Sequence, residues 1–425
     1  MTAPAAVRRT FSSLGVFNYR LYFFGQIVSV SGTWMQAVAQ SWLVLQLTGS
    51  GTAIGLVVAL QFLPMLFLAP LGGVIADRFD KRRLLILTQS AAALLAALLG
   101  LLIVTGAVEL WMIYVLAACL GIINSIDTPT RQTFVLEMVG REGVTNAVSL
   151  NAVLVNLARV LGPAIAGALI VTVGIGVCFL INAASYLAVI LALAVMRADE
   201  LHPSPAQPRR SGQLREGLRY VRATPAVLTP LLMMAVVGTF AYEYQVVLPL
   251  LARFTFEGDA KTYAAMTALM GAGAVVGGLL TAARRSRSAL ALGWAAAVFG
   301  AVQLAVALAP TLPVALATLT VLGAASISFL ALGNATLQLN SAPDMRGRVM
   351  GLWAVAFLGS TPIGGPIVGW IGEQFGPRFA LGLGGAVTVL AGAFAFRSLG
   401  AVDREAAVAV DGGDAVEAPP VKLGP

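Results

Sequence analysis

Gly73-Val74-Ile75-Ala76-Asp77-Arg78-Phe79-Asp80-Lys81-Arg82-Arg83 sets a knot of charge between two apolar runs, each long enough to cross a bilayer. A helix of about 20 apolar residues spans the roughly 30 Å hydrocarbon core, so a short polar connection between two such runs is a tight loop at the membrane surface. Four of its residues, Arg78, Lys81, Arg82 and Arg83, are basic. Excess Lys and Arg in short loops marks the cytoplasmic side, which orients the two flanking helices. Asp77 needs a partner, because an ionised carboxylate at the membrane boundary is costly when unpaired. Nearby arginines or the positive N-terminal end of another helix would serve.

Outward from this loop the same composition continues. The 425-residue chain is 58% hydrophobic and 11% charged and contains 45 glycines, with a mean hydropathy of +0.87. That is the composition of a polytopic membrane protein, with room for about a dozen spans and no sizeable soluble domain. The net charge of +8 reads as membrane topology and not as a nucleic-acid surface, because the basic residues are spread through short loops. Cys119 and Cys178 fall inside expected spans, so no disulfide framework is implied. The single histidine, His202, lies in a polar loop, which leaves no metal constellation and no cofactor to expect.

Hydropathy places spans at about 20–46, 54–76, 84–106, 110–134, 144–172 and 174–196, then at 225–252, 262–283, 288–308, 312–338, 347–372 and 376–397. The first follows a polar, basic stretch with no small-residue cleavage site and reads as a retained helix, not a signal peptide. Residues 197–224 interrupt the pattern with Pro203, Pro205, Pro208 and six arginines. The expected organisation is an N-terminal six-helix half at 1–196, a cytoplasmic linker at 197–224, a second six-helix half at 225–398 and a disordered cytoplasmic tail at 399–425. With both termini inside, 23 of the 27 Lys and Arg lie on the cytoplasmic side. Arg253, Lys261 and Arg378 lie outside and Arg159 lies within a helix, so the reverse orientation is untenable. Two weak internal echoes fit a duplication: Gly277-Gly278-Leu279-Leu280 before Arg284-Arg285 against Gly72-Gly73-Val74-Ile75 before Arg78, and Gly365-Pro366 against Gly162-Pro163.

The opening stretch resembles the loop signature of the major facilitator superfamily, Gly-x-x-x-Asp-Arg-x-Gly-Arg-Arg between transmembrane helices 2 and 3. Gly73, Asp77, Arg78, Lys81 and Arg82 match. The family's second glycine is Asp80 here, where the loop backbone is expected to differ. Further stretches sharpen the resemblance: Gln40-Ser41-Trp42-Leu43-Val44, Leu47-Thr48-Gly49-Ser50, Gln61-Phe62-Leu63-Pro64 and Asp127-x-Pro129-x-Arg131-Gln132. Together they are similar to the bacterial subgroup of the enterobactin exporter and the transmembrane secretion effectors. The resemblance implies an all-α polytopic membrane protein with twelve transmembrane helices as two six-helix halves, and a substrate site near the midplane between them. It also implies proton-driven efflux of small molecules such as siderophores, macrolides or other drugs. Gly162-Pro163-x-x-Ala166-Gly167 resembles the second half of the antiporter signature of exporting members, which makes Gly162, Pro163 and Gly167 candidate kink positions.

No catalytic set is visible. A phosphate-binding Gly-x-x-x-x-Gly-Lys-Ser/Thr loop, a nucleophile beside a histidine and a ligand cluster are all missing from the sequence, so energy for transport is expected from an ion gradient. In the family, helices 1, 4, 7 and 10 line the central cavity. That makes Gln36, Gln40, Asn124, Tyr242, Gln245, Asn334 and Gln338, with Asn156 of span 5, candidate cavity residues. Uncharged amides serve equally as helix–helix hydrogen bonds. Trp34, Trp42 and Trp353 suit either a greasy pocket or an interfacial belt. The candidate cytoplasmic gate is Gly73, Asp77, Arg78, Lys81, Arg82 and Arg131.

Three charges within spans, Asp127, Arg159 and Glu243, are candidates for proton coupling, since each costs on the order of 3 kcal/mol to insert at a helix centre. Asp127 and Arg131 are four apart, hence on one helical face, and form a local ion pair or part of a gate. Arg159 and Glu243 fall in the outer half of the membrane on opposite halves of the chain. A carboxylate holds its proton more tightly in a dry site and less tightly beside a cation, so an Arg159 that meets Glu243 only when the outer side is closed would make proton affinity follow conformation. A static pair is the alternative. The expected partners are therefore a small-molecule substrate, protons and the lipid bilayer of a bacterial inner membrane, with no nucleic acid and function as a monomer. An uptake or facilitative permease, or a non-transporting scaffold or sensor, remains the alternative reading.

Overall fold

A computed structural model of the chain describes residues 11–202, 213–283 and 290–411. Pro203, Pro205 and Pro208, the Arg284-Arg285 echo and the tail beyond Asp411 lie outside the described residues.

The described residues are helical with no strand. Helix α1 runs Phe17–Thr48, α2 Gly51–Arg78 and α3 Lys81–Val104. The run Leu110–Thr172 is broken at Gly140, whose φ of 68° and ψ of 179° belong to no helix and favour glycine. We number its limbs α4 (110–139) and α5 (141–172). Helix α1 lies against both: the Tyr22 ring sits 6.3 Å from that of Phe134 on α4, and the Tyr19 hydroxyl donates to the Ala147 carbonyl of α5 at 2.8 Å. Then come α6 Ile175–Val195, α7 Pro225–Thr255, α8 Ala260–Ala283, α9 Leu290–Ala307, α10 Leu312–Asn340, α11 Arg346–Gln374 and α12 Pro377–Asp411. Ten helical stretches of the described residues are individually long and apolar enough to cross a membrane. One of them is the Leu110–Thr172 run, which supplies two crossings, and α1 at 32 residues completes twelve.

Turn chemistry explains the joints. Ser50 caps α2 by accepting the Ala53 N–H at 3.1 Å, and Asp80 caps α3 by accepting the Arg83 N–H at 2.7 Å. Asp80 thus has a role that the glycine of the resembled signature lacks. Helix α7 is interrupted at Tyr242 and Glu243, which leave helical geometry, and α11 at Gly359 and Ser360. Two helical segments lie outside the spans read from hydropathy. Part of the 197–224 segment is a helix, Gln213–Ala223, seated on the start of α11 by Glu216 to Arg348 at 3.0 Å and by the Tyr220 hydroxyl accepting the Ala342 N–H at 2.9 Å. Helix α12 also continues to Asp411, past the expected start of the tail at 399.

Helices α1–α6 pack among themselves, as do α7–α12, and the two groups meet chiefly along α2 with α11 and α5 with α8. Close backbone approach inside each group rests on glycine. Gly72 and Gly121 hold α2 to α4, and Gly273, Gly277 and Gly323 hold α8 to α10. The Gly273 and Gly277 face is therefore a packing surface within the second group.

Candidate functional site: a cavity between two helix groups

The α2–α3 loop defines one face of the bundle. Lys81 Nζ binds Glu137 Oε1 at 2.6 Å, joining the loop to α4. Arg82 donates from Nε to the Leu193 carbonyl at 2.6 Å and from a terminal nitrogen to that of Ala194 at 2.8 Å, satisfying the last carbonyls of α6. Arg78 is exposed, and Gly73 and Asp77 are half-buried. Lys81 and Arg82 are thus bound inside the first helix group.

At the opposite face the two groups are sealed together. Gly51 and Gly55 of α2 face Gly369 and Gly365 of α11. A Cβ placed on Gly55 would overlap the Gly365 carbonyl, so only glycine permits this approach. Gly167 of α5 meets Ala264 of α8, where a Cβ would lie 2.5 Å from that of the alanine. Trp42 of α1 stacks on Tyr263 of α8 with centroids 6.3 Å apart. Gly162 has the separate role of packing α5 against Ser31, Trp34 and Met35 of α1, with Pro163 buried beside it.

Beneath this seal lies a cavity of about 280 Å³ that draws on both groups. Trp34, Phe62 and Arg159 come from the first, and Tyr242, Tyr244, Gln245, Tyr263 and Phe357 from the second. The interruption of α7 places Glu243 on its wall, 4% exposed. The carboxylate lies against α11: a Cβ on Gly364 would stand 3.0 Å from Oε1, and one on Gly365 3.6 Å from Oε2. Oε1 makes no hydrogen bond. The Arg159 guanidinium lies over the Trp34 indole, 5.0 Å from a ring centroid, a cation–π contact, and its Nε is likewise buried without a partner. Tyr242 is held by donation from its hydroxyl to the Ser326 carbonyl at 2.7 Å.

Arg159 and Glu243 share one cavity but do not pair although the distal seal is closed. This corrects the expected ion pair. Arg159 is held by Trp34 of its own group, while Glu243 is turned to the glycines of α11, so each charge belongs to a different wall.

Asp127 is elsewhere, buried between α3 and α4. It pairs with Arg131 and accepts from the Thr88 hydroxyl and the Gln89 amide, both at 2.8 Å. It does not line the cavity, and the local ion pair is the arrangement observed. The amides are also mostly structural. Gln36 accepts from the Asn182 amide of α6 at 2.6 Å, and with Gln40 it borders a small separate pocket among α1, α3 and α4. Asn156 donates to the Ala152 carbonyl of its own helix at 2.8 Å. Gln338 donates to Asn334 at 2.5 Å, and Asn124 is half-buried on α4. Of the amides expected in the cavity, Gln245 lines it. Trp34 is a cavity wall, while Trp42 and Trp353 are buried in packing. Of the α2 and α11 glycine pairs, sequence reasoning marks Gly365 alone, as part of the Gly365-Pro366 echo, and it misses Phe357. The spacing of Gly51 with Gly55 and of Gly365 with Gly369 carried the signal.

Residues 9–423 match the family described as transmembrane secretion effector. The staphyloferrin A transporter of Staphylococcus aureus is 26% identical over 61% of this chain, which spans 66% of that protein, just under two thirds. The enterobactin exporter EntS of Citrobacter koseri is 25% identical over 91% of this chain and 92% of its own length. Among solved structures, a bacterial homolog of the human lysosomal transporter Spinster, in an inward-facing and unoccupied conformation, superposes with a TM-score of 0.74 at 15% identity, covering 92% of this chain and 98% of that one. At that identity the likeness is one of fold. The family match takes in both helix groups and the cavity they enclose, and the chain belongs to the transmembrane secretion effector family of the major facilitator superfamily.

Proposed function

We propose that this chain is a secondary transporter, not an enzyme, which exports small amphipathic molecules of siderophore-like or drug-like character in exchange for protons. The observation that carries the reading is the cavity: it lies between two helix groups, is walled by aromatic rings, and contains one carboxylate and one guanidinium that are not paired with each other. Alternating access is the motion of α1–α6 against α7–α12 around it. The glycine crossing of α2 with α11 closes one route, and the α2–α3 loop face supplies the other. The positive-inside rule makes that loop face cytoplasmic, which gives a multi-pass protein of the bacterial plasma membrane with both termini inside, acting as a monomer. In this reading Glu243 carries the proton, and Asp77 with Arg78, Lys81, Arg82 and Arg131 forms the cytoplasmic gate. The names of two relatives, a siderophore transporter and a siderophore exporter, support the substrate class.

The test is substrate-dependent proton movement in liposomes of purified protein under an imposed pH gradient, across a panel of siderophores and drugs. Protons should move against substrate, and export should collapse when the gradient is dissipated. Substrate flux that follows its own gradient unchanged after dissipation would make the protein a facilitative permease instead.

A further inference from the structure

Among the described residues, four buried side-chain polar atoms lack a hydrogen-bond partner: the Tyr22 hydroxyl, Gln89 Oε1, Arg159 Nε and Glu243 Oε1. Two of the four line the central cavity, and those two carry opposite charge types. A buried polar atom left unsatisfied costs about 1–3 kcal/mol, and more when the group is charged. The simplest relief would be for Arg159 and Glu243 to bind each other. They do not: Arg159 is laid over Trp34 of the first helix group, and Glu243 is set against Gly364 and Gly365 of α11 in the second. The rings of Tyr242, Tyr244, Tyr263 and Phe357 line the same cavity.

We propose that the ligand of this cavity is a zwitterionic aromatic amphiphile, whose anionic group binds Arg159, whose ammonium group binds Glu243 and whose flat apolar body lies on the rings. The inference rests on the transport reading in taking the cavity as the ligand site, and adds to it the charge pattern of the substrate. Arginine is a permanent cation with a planar donor array suited to carboxylate, sulfonate or phosphate groups. The carboxylate opposite accepts from an ammonium, and charge-assisted bonds of this kind are about twice as strong as neutral ones. A cavity of about 280 Å³ lies at the small end of ligand sites, so the occupant is compact. The coupling sign follows. The ammonium occupies Glu243 in place of a proton, so substrate and proton compete for one carboxylate, as exchange requires. A purely anionic substrate would favour protonation of Glu243 and would not compete. One ligand also touches both helix groups, which makes its affinity depend on their relative position.

Four probes on one skeleton test this by equilibrium dialysis against the purified full chain in lipid-free maltoside micelles: 3-(2-naphthyl)alanine, its carboxamide, its N-acetyl derivative and the N-acetyl carboxamide. They carry both charges, the positive charge alone, the negative charge alone and neither. The zwitterion should bind about tenfold more tightly than either singly charged probe, the gain of one charge-assisted contact. Arg159→Gln should lower the zwitterion to the level of the carboxamide, and Glu243→Gln to that of the N-acetyl derivative. The neutral probe should change by less than about threefold in both variants, reporting an intact cavity. If either variant fails to fold, the order of the four probes on the wild type decides alone. Equal binding of zwitterion and singly charged probes, or variants that do not erase the matching charge preference, would overturn the proposal. A phospholipid headgroup offers the same pair of charges. Displacement of the zwitterion by added phosphatidylethanolamine in the wild type, absent in both variants, would reassign the site to lipid and overturn the soluble ligand. Binding is read without a gradient, so a chain that binds the zwitterion but moves no protons fails the transport reading while keeping this one.

Discussion

Glu373 at the end of α11 accepts the hydroxyl hydrogen of Ser50 at 2.6 Å across the junction of the two helix groups. The same Oε2 accepts from the Thr52 N–H at 3.1 Å and its hydroxyl at 2.8 Å. A carboxylate is thus held by three donors at the N-terminal end of α2, where the helix dipole also favours negative charge. The contact exists only while α2 and α11 are closed at this face. Glu373→Gln should therefore weaken the seal by on the order of 1 kcal/mol after discounting for solvent exposure, about a fivefold shift toward the state open at this face. Distances between spin labels at the distal ends of α2 and α11 should show a larger long-distance population; an unchanged distribution would remove Glu373 from the seal.

The glycine crossing beneath it makes a stronger prediction. Any side chain on Gly55 enters the backbone of Gly365, and backbone cannot yield as a flexible side chain can. Gly55→Val should hold α2 and α11 apart, deplete the distally closed state and abolish transport. Expression should be preserved, because Gly55 packs between the groups and not within one. A variant that transports at the wild-type rate would show that the crossing is not needed.

Topology is testable by labelling. A cysteine introduced at Asp259, between α7 and α8, should react with an impermeant maleimide applied to intact cells, and one at Leu201, after α6, should react only after lysis. The reverse pattern would invert the orientation.

How far the sequence carries this architecture depends on the range of each interaction. The expected spans 110–134 and 144–172 fall on either side of Gly140, because the length of an apolar helix is set by the bilayer and shows in a local window. Charges in a span are equally visible, which is why Arg159 and Glu243 both stand out in the sequence. Their lack of pairing was not readable, since it depends on which neighbour each meets, and Trp34 and Gly364 lie far from either in the chain. The same holds for Gln36, whose partner Asn182 is 146 positions away, and for Glu373, 323 positions from Ser50. An amide in a span announces a hydrogen bond but not its direction. Gly51 with Gly55 showed the spacing of a close contact, yet nothing in the spacing names α11 as the partner.

Asp77 belongs to the other face. It is half-buried at the end of α2, and α11 begins at the same face with Arg346, so closure there would bring a carboxylate to a helix N-terminus, a contact of about 0.3–2 kcal/mol. Asp77→Asn should shift the population toward the state open at the loop face and reduce transport without loss of expression. Labels on the loop-face ends of α4 and α10 measure it, and identical distances in variant and wild type would refute the gate.

Glu243 offers the most direct test of coupling. Its carboxylate is buried on the cavity wall, with Oε1 unpaired and no ion pair to Arg159, so its charge is not committed to the static pair that would otherwise explain it. A proton carrier must be reachable from the cavity and must be free to change partners between states, and Glu243 meets both conditions. Asp127 does not, because Arg131, Thr88 and Gln89 already occupy it. In Glu243→Gln the carboxamide copies the shape of the protonated acid but cannot release a proton. Transport driven by a pH gradient should then fall to background in liposomes, while exchange of labelled for unlabelled substrate at saturating concentration continues, since exchange needs the moving halves but no proton transfer. Uphill transport at the wild-type rate with an unchanged pH profile would place the carrier elsewhere, and Asp127→Asn would be the variant to make next.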